Sequence, residues 1–171
     1  ELQEAKATNV LDVGCSAVYP TIFARAGFTV MGLDVSDEAL RQARDIAQKW
    51  GVSDKVRTQQ GFAQRLPFTD GSFSAVIQGE IWEHVPDIRP LVEEAFRVLQ
   101  PGGVLIASTP IGEHHHDIFH IGPEHGGWSE QTLREALLPW KDNIAKIEMV
   151  AEAGTDPSCF LIVLRKEGAN G

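Results

Sequence analysis

Hydrophobic residues fall in short runs that are separated by segments of helical periodicity, and this alternation predicts a parallel sheet covered by helices. The apolar runs are bounded by turn residues, which is typical of buried strands. Lys55–Gln60 is more polar and predicts an edge strand. The other predicted strands are Thr8–Val13, Phe28–Leu33, Phe73–Gln78, Val104–Ser108 and a closing antiparallel pair, Ile144–Ala153 and Ser158–Arg165.

The helical segments lie between these strands, except that none is indicated between the third and the fourth. Ser36 is a preferred N-cap residue for the second helix. Pro101-Gly102-Gly103 is expected to stop the third helix, which precedes it. The predicted fold class is therefore α/β, with a doubly wound, seven-stranded and mostly parallel sheet. The predicted helices are Pro20–Ala26, Ser36 to Gly51, Ile88–Leu99 and Ser129–Leu138.

Length and charge narrow the classes of function. With 171 residues, one domain over residues 1–171 is expected, and the start at Glu1 suggests a piece cut from a longer chain. The net charge of −9 disfavours broad binding of nucleic acid or anionic lipid. No apolar run approaches the ~18–20 residues of a membrane span. Two cysteines, Cys15 and Cys159, are too few for a disulfide scaffold, so a reducing, cytoplasmic location is expected.

The ends of the first two strands carry residues suited to a nucleoside. Gly14 allows a tight turn after the first strand, and Asp34 ends the second, where a carboxylate can accept both ribose hydroxyls. The sequence lacks G-x-G-x-x-G and lacks a phosphate-binding loop with its Lys. We therefore expect a nucleoside ligand that carries no phosphates.

Five segments in this order resemble the class I S-adenosylmethionine-dependent methyltransferases, whose sheet is Rossmann-like. The resemblance covers nearly the whole chain and implies S-adenosyl-L-methionine as the cofactor. The segments are VLDVGC at Val10–Cys15, GLDVS at Gly32–Ser36, GFAQRLPF at Gly61–Phe68, DGSFSAVIQGEIWEHV at Asp70–Val85 and RVLQPGGVLIASTP at Arg97–Pro110.

The resemblance also implies roles for single residues. Asp12 and Gly14 would line the methionine end of the cofactor, and Asp34 would hold the ribose hydroxyls. Val35 would face adenine, the backbone of Ala63 beside Phe62 would meet the adenine edge, and Gln78 and Gly79 would pass near the sulfonium. The complete set implied for cofactor binding is Asp12, Gly14, Ser16, Asp34, Val35, Phe62, Ala63, Gln78 and Gly79.

Two departures from the family pattern bear on cofactor affinity. The family has Gly-x-Gly-x-Gly where this chain has Gly14-Cys15-Ser16-Ala17-Val18. Ser16 is a tolerable exchange, but Val18 is β-branched and disfavours positive φ, so it is expected to crowd the loop. Phe62 stands where an acid is often found. A non-catalytic, methyltransferase-like module within a larger protein is therefore an alternative hypothesis.

Candidate catalytic groups follow the fourth and fifth strands, whose carboxyl ends open toward one crevice. Glu80, Glu83 and His84 follow the fourth strand, and a loop after the fifth holds five of the six histidines. Methyl transfer needs an aligned nucleophile, and a base only for a hydroxyl or a protonated amine. We expect catalytic roles for Glu83, His84 and His120, with His84 and either His120 or His125 facing one pocket. The loop histidines are His114, His115, His116, His120 and His125.

The same cluster has three interpretations. Glu80, Glu83, His84 and His120 are ligand types for a divalent metal, as in the small-RNA 3′-terminal ribose 2′-O-methyltransferases that the pattern resembles. The string E-x-x-E-H-V-P-D also resembles small-molecule members, including ubiquinone-pathway O-methyltransferases, in which it shapes the pocket without a metal held by protein alone. The second interpretation is that a histidine acts as a base or contacts the substrate. The third interpretation is that these residues only shape the pocket wall. The negative net charge favours a small-molecule acceptor over RNA, and we expect methylation of O or N in a small metabolite or glycan precursor. Other domains of a longer chain are possible partners.

Overall fold

The computed structural model describes residues 1–112, 128–151 and 156–168. Four helices and seven strands occur in these residues. The helices are α1 (Tyr19–Arg25), α2 (Asp37–Lys49), α3 (Arg89–Val98) and α4 (Glu130–Ala136). The strands are β1 (Asn9–Val13), β2 (Thr29–Asp34), β3 (Val56–Gln60), β4 (Phe73–Gly79), β5 (Leu99–Pro110), β6 (Ile144–Val150) and β7 (Cys159–Arg165).

All seven strands belong to one sheet, in the order β3-β2-β1-β4-β5-β7-β6. The first five strands pair in parallel, and β7 is antiparallel to both β5 and β6. The predicted doubly wound α/β sheet with its antiparallel C-terminal pair is thus confirmed, and β3 lies at an edge as predicted. The strand order reverses between β1 and β4, and the loops at their carboxyl ends form the crevice where such sheets bind ligands.

The sheet is buried on both faces, which explains the continuous apolar runs in its central strands. Neighbouring residues of one strand point to opposite faces, so Val10 and Leu11 belong to different core clusters. Leu11 packs in the cluster that contains α3 and α4, while Val10 packs in the cluster that contains residues of α1 and α2. Truncation of a fully buried leucine such as Leu11 costs about 2–5 kcal/mol.

Two helix starts follow from their capping residues. The Ser36 hydroxyl accepts a hydrogen bond from the Ala39 amide at 3.2 Å, which caps α2. Ser129 and Thr132 form a reciprocal capping box at the start of α4. These caps satisfy amides that have no partner within the first helical turn.

The expected stop at Pro101-Gly102-Gly103 is only partly correct. α3 ends at Val98, but β5 already begins at Leu99 and runs through these residues, with a register shift against β4. Gly102 has a φ of 78°, and a Cβ on Gly103 would lie 2.9 Å from the Gln100 carbonyl oxygen. The segment is therefore an irregular strand extension rather than a separate turn, because paired backbone can pass through a bulge.

Short 3₁₀ segments at Trp82–His84 and Leu138–Asn143 were not expected from the sequence. They leave little periodic signal, since each is only one or two turns long. The second shortens α4, which ends at Ala136 instead of the predicted Leu138. Among the described residues, no helix is long and apolar enough to cross a membrane.

Candidate cofactor and acceptor site

The turn after β1 depends on Gly14. Its φ is 71°, and its amide donates a 2.8 Å hydrogen bond to the Leu33 carbonyl of β2. A Cβ built on Gly14 would overlap Cγ2 of Ile81, which follows β4. Both the left-handed backbone and the approach of Ile81 therefore require glycine, and the turn brings the loops after β1 and β4 into contact.

Asp12 is a buried carboxylate in β1, next to this turn. Its side chain is nearly inaccessible, and Oδ2 has no hydrogen-bond partner among the described residues. Burial, and secondarily the charge of Asp34, raises the pKa of Asp12 to about 7. A carboxylate that is buried without a partner is suited to receive a cationic or hydrogen-donating ligand group.

Asp34 ends β2 on the same edge of the sheet. Its Oδ1 accepts a 2.8 Å hydrogen bond from the Ser36 amide, and its other carboxylate oxygen has no hydrogen bond to a described residue. Its backbone carbonyl accepts a 3.0 Å bond from the Gly61 amide after β3. The carboxylate is thus fixed in orientation while one oxygen stays available to a ligand.

The loop between β1 and α1 does not contain the strain expected at Val18. Val18 has φ of −110° and ψ of −40°, which a β-branched residue adopts readily, so the prediction of a required positive φ was wrong. Ser16 explains this geometry, because its hydroxyl accepts hydrogen bonds from the amides of Val18 (3.3 Å) and Tyr19 (3.1 Å). A serine in the place of the second glycine therefore organises the loop.

Exposed apolar side chains follow each of the first three strands. Val18 and Tyr19 follow β1, Val35 follows β2, and Phe62 follows β3; 47–67% of each of these residues is exposed. Because neighbouring parallel strands end at one edge, these residues lie at the same edge of the sheet as Asp12 and Asp34, and we call them the apolar rim. Single exposed apolar residues are common, but ligand sites are lined mainly by apolar and aromatic side chains.

β4 passes under the crevice at Gln78 and Gly79. Gln78 is fully buried; its amide nitrogen donates to the Leu91 carbonyl at 3.0 Å, and its oxygen accepts from the Trp82 indole at 2.8 Å. The Gln78 side chain therefore holds α3 and the 3₁₀ turn in place. Because the Gln78 side chain is already engaged, only the backbone of Gln78 and Gly79 could lie near a ligand, as the sequence predicts.

Glu80 has a left-handed backbone directly after β4. Its φ is 53°, which is uncommon outside glycine and costs of the order of 1 kcal/mol. Two contacts with Ser108 of β5 hold it there: the Glu80 amide donates to the Ser108 carbonyl at 3.0 Å, and the Ser108 hydroxyl donates to Oε1 at 2.6 Å. The exposed Glu80 carboxylate is consequently anchored at the ends of β4 and β5.

Glu83 and His84 form the next pair of titratable groups. Glu83 is 7% exposed, and its Oε2 accepts a 3.3 Å hydrogen bond from the buried Thr109 hydroxyl. Burial raises the pKa of Glu83, and the charge of Glu80 adds to the increase. Nε2 of His84 lies 3.9 Å from Glu83 Oε1, and 45% of the histidine side chain is exposed. A buried carboxyl group and an imidazole thus meet beside the crevice.

The histidine loop lies outside the described residues, and His120 and His125 with it. Within residues 1–112, 128–151 and 156–168, no group of three or more His, Cys, Asp or Glu side chains could hold a metal. The described part of the cluster therefore lends no support to the metal interpretation. The expected approach of His84 to a loop histidine stays a prediction.

Comparison with known proteins assigns this geometry to a family. Residues 11–107 match the Methyltransferase domain family. The chain belongs to that family. It is 32% identical over 151 residues to tocopherol O-methyltransferase of Arabidopsis thaliana, covering 84% of this chain and 38% of that protein. Sterol 24-C-methyltransferase of Gibberella zeae is 39% identical over 97 residues, which are 56% of this chain and 26% of that protein.

A SAM-dependent methyltransferase from Methanosarcina mazei has the same fold. The two structures superpose with a TM-score of 0.71 at 22% identity, over 94% of this chain and 92% of the other. The chain spans less than half the length of either curated relative named above. The shared methyltransferase domain is thus the part of those longer proteins that it matches.

The described residues fit the family's cofactor, S-adenosyl-L-methionine. Asp34 offers a fixed carboxylate for ribose hydroxyls, and Gly14 keeps the neighbouring turn free of side-chain atoms. The buried, unpartnered oxygen of Asp12 matches the cationic amino group of the methionine end. The apolar rim of the methyltransferase domain fits the adenine ring.

Sequence reasoning missed three residues of this site: Ile81, Ser108 and Thr109. Ser108 and Thr109 are polar residues at the carboxyl end of an otherwise apolar strand, and that position could have indicated them. Ile81 carries no comparable signal, because its role is a packing contact with Gly14 across the crevice. Such a contact depends on the tertiary structure alone.

Proposed function

We propose that the chain transfers a methyl group from S-adenosyl-L-methionine to an oxygen or nitrogen of a small metabolite or glycan precursor. The observation that carries this proposal is Glu83, a buried carboxyl group of raised pKa that follows the cofactor-facing end of β4. A hydroxyl or ammonium acceptor must lose a proton on methylation, and a base with a raised pKa is suited to take it.

The roles of the chain's residues follow from their positions. When bound, S-adenosyl-L-methionine supplies a methyl group on a positively charged sulfur. Asp34 would hold the ribose hydroxyls, and Asp12 would receive the cationic amino group. Glu83 would take the proton that the acceptor atom loses on methylation. Most of the rate comes from alignment of acceptor and methyl group.

Glu80 and His84 complete the proposed acceptor side. The exposed Glu80 carboxylate, anchored by Ser108, can receive a hydrogen bond from a second acceptor group. His84 lies close enough to Glu83 to stabilise its ionised form when the imidazole is protonated. His120 is proposed as a further contact from the loop after β5.

Two observations support a small acceptor. The names of the relatives record methylation of sterols and tocopherol. The net charge of −9 also opposes the counterion-driven affinity that RNA-binding enzymes use. These observations favour a metabolite over a nucleic acid.

The test is methyl transfer by the full-length protein to a panel of phenols, catechols, amines and sugars, read out as release of S-adenosylhomocysteine. Glu83→Gln should lower kcat roughly tenfold or more, because proton transfer contributes about 10²–10⁴-fold in such sites. Affinity for S-adenosylhomocysteine should stay within about twofold, since the cofactor groups are unchanged. Glu93→Gln, an exposed carboxylate of α3, is the matched control. An unchanged kcat in Glu83→Gln would remove the base from the proposal.

A further inference from the structure

The segment between β3 and β4 has no regular secondary structure beyond one bridge between Phe62 and Arg65. It begins at Gly61, whose amide is bound to the Asp34 carbonyl. Its first turn presents Phe62, which is 67% exposed, and Ala63. We call residues 61–72 the adenine loop, because the family resemblance puts the adenine ring against Ala63 and Phe62.

Arg97 of α3 uses all of its donors on this loop and its surroundings. A guanidinium has five N–H groups. Two donate to loop carbonyls, those of Leu66 at 2.9 Å and Phe68 at 2.7 Å. One donates to Asp70 at 2.8 Å, and two form a bidentate pair with Glu94 at 2.7 and 2.8 Å. A lysine could not reproduce this set, because it lacks the planar fork.

Glu94 completes the attachment from one helical turn earlier. Its Oε2 accepts the Leu66 amide at 2.6 Å, so both backbone groups of Leu66 are bound to α3. The bond to Arg97 is the main reason that the pKa of Glu94 is lowered. The Arg97 carbonyl also accepts the Gly71 amide at 3.0 Å. Two side chains and one carbonyl of α3 therefore fix the middle and the end of the loop.

The start of the same helix carries a local ion pair. Among the described residues, the Arg89 side chain bonds only to Asp87, two residues away, and 61% of it is exposed. The Arg97 and Glu94 side chains are 31% and 18% exposed. An exposed local pair contributes little, whereas a half-buried network that satisfies loop backbone has a defined structural role.

We propose that Arg97 and Glu94 are positioning residues that set the affinity for the adenine end of the cofactor by clamping the adenine loop. The inference rests on the proposed function, since it needs a cofactor held at Phe62 and Ala63. The start of the loop is fixed to Asp34 through Gly61, and its middle and end are fixed to α3. Release of the α3 attachment frees the first turn to move, while the methionine end at Asp12 and Gly14 is unaffected.

Calorimetric titration of the full-length protein with S-adenosylhomocysteine tests this clamp. Arg97→Gln and Glu94→Gln should each raise Kd roughly fivefold or more, and adenosine should lose affinity by a similar factor because it shares the adenine ring. At saturating cofactor, kcat should stay within about twofold, so that the effect falls on KM for the cofactor. Arg97→Lys should restore little of the lost affinity, because lysine lacks the planar fork. Arg89→Gln should have the same Kd as the parent protein.

A merely structural role gives a different result. Variants that only unfold in part lower the binding stoichiometry and kcat, and leave the Kd of the folded fraction unchanged. A double-mutant cycle gives a second measurement: the loss caused by Phe62→Ala should be smaller in Arg97→Gln than in the parent. Additive losses, or an unchanged Kd in both clamp variants, would overturn the clamp alone. A parent protein without affinity for S-adenosylhomocysteine would overturn the proposed function as well.

Discussion

The two halves of the crevice are built differently. After β1, β2 and β3, the site consists of a glycine turn, single carboxylates and exposed apolar side chains, and most of its contacts are to backbone. After β4 and β5, it consists of side-chain pairs: Glu80 with Ser108, and Glu83 with Thr109. The first arrangement is suited to one constant ligand, and the second to an acceptor that varies among relatives.

The family match has the same division. It ends at residue 107, one residue before Ser108 and two before Thr109. The cofactor half lies within the matched residues, whereas part of the acceptor half lies beyond them. The comparison teaches that the family match covers all the residues predicted for cofactor binding, but only part of those proposed for the acceptor.

Among the variants that test the difference between the cofactor half and the acceptor half, Gly14→Ala is expected to have the largest effect. The added Cβ would overlap Ile81 and needs a left-handed backbone, so both sides of the crevice must shift. The free energy of unfolding should fall by about 2–5 kcal/mol, from about 1–2 kcal/mol of backbone strain and 1–3 kcal/mol of overpacking. The displaced turn should also lower the affinity for S-adenosylhomocysteine, by roughly 100-fold. Gly51→Ala is the control, because its φ is 69° and no atom of a described residue lies within 4 Å of the new Cβ. Equal losses in both variants would reduce the role of Gly14 to its backbone angle.

Asp34→Ala should weaken cofactor binding by roughly tenfold or more while the fold stays intact. Each charge-assisted hydrogen bond to a ribose hydroxyl is worth about 1.5–3 kcal/mol in a site of this kind. Calorimetry against Asp37→Ala, an exposed carboxylate in the first turn of α2, measures the difference. An affinity equal to that of the control would show that the ribose is bound elsewhere.

Asp12→Asn should change stability and cofactor binding in opposite directions: it should raise the free energy of unfolding and lower the affinity for the cofactor. The pKa of Asp12 is raised from 3.8 to about 7, so the folded state binds the extra proton between these values. The free energy of unfolding therefore falls as pH rises through this range, and Asp12→Asn should recover on the order of 1–3 kcal/mol at pH 8. Cofactor affinity should fall roughly fivefold with the lost charge.

Urea unfolding of Asp12→Asn at pH 4 and pH 8, beside the exposed-site variant Asp54→Asn, measures the stability change. The gain should be near zero at pH 4, where the carboxyl group is protonated in most folded molecules. The same gain at both pH values would show that charge burial is not its cause.

The smallest effect is expected from Val18→Gly. The sequence alone predicts that this exchange relieves crowding and tightens cofactor binding. With φ at −110° there is no strain to relieve, so affinity should stay within about twofold. The free energy of unfolding should fall by about 0.5–1 kcal/mol, because glycine loses more backbone entropy on folding. Binding that tightened by fivefold would restore the crowding hypothesis.

The fold could be predicted because its signals are local. Apolar runs, Ser36 and Ser129 define strands and helix starts within a few residues of sequence. The positions of Asp34 and Gly14 at strand ends could be predicted for the same reason, since each lies directly at the end of an apolar run; their roles toward the cofactor stay predictions. The strain assigned to Val18 was wrong because the hydroxyl of Ser16 reorganises the loop, and no propensity rule includes that contact.

The acceptor half could be predicted only as a set of candidate residues. Glu83 is buried in the assembled fold, where Thr109, distant in sequence, donates a hydrogen bond to it, and burial raises its pKa. The commitment of the Gln78 side chain to Trp82 and Leu91 is likewise a property of the assembled core. Such roles depend on contacts between elements, which the order of residues does not reveal.

The contact between Ile81 and Gly14 limits how the domain can be re-engineered. A change of acceptor preference would start by exchanging the segment after β4 for that of another methyltransferase. Ile81 lies in that segment, yet its methyl group also packs against the cofactor turn. A graft that begins at Trp82 preserves this contact. A graft that begins at Glu80 and places a bulkier residue at position 81 would disturb the binding of both the acceptor and the cofactor.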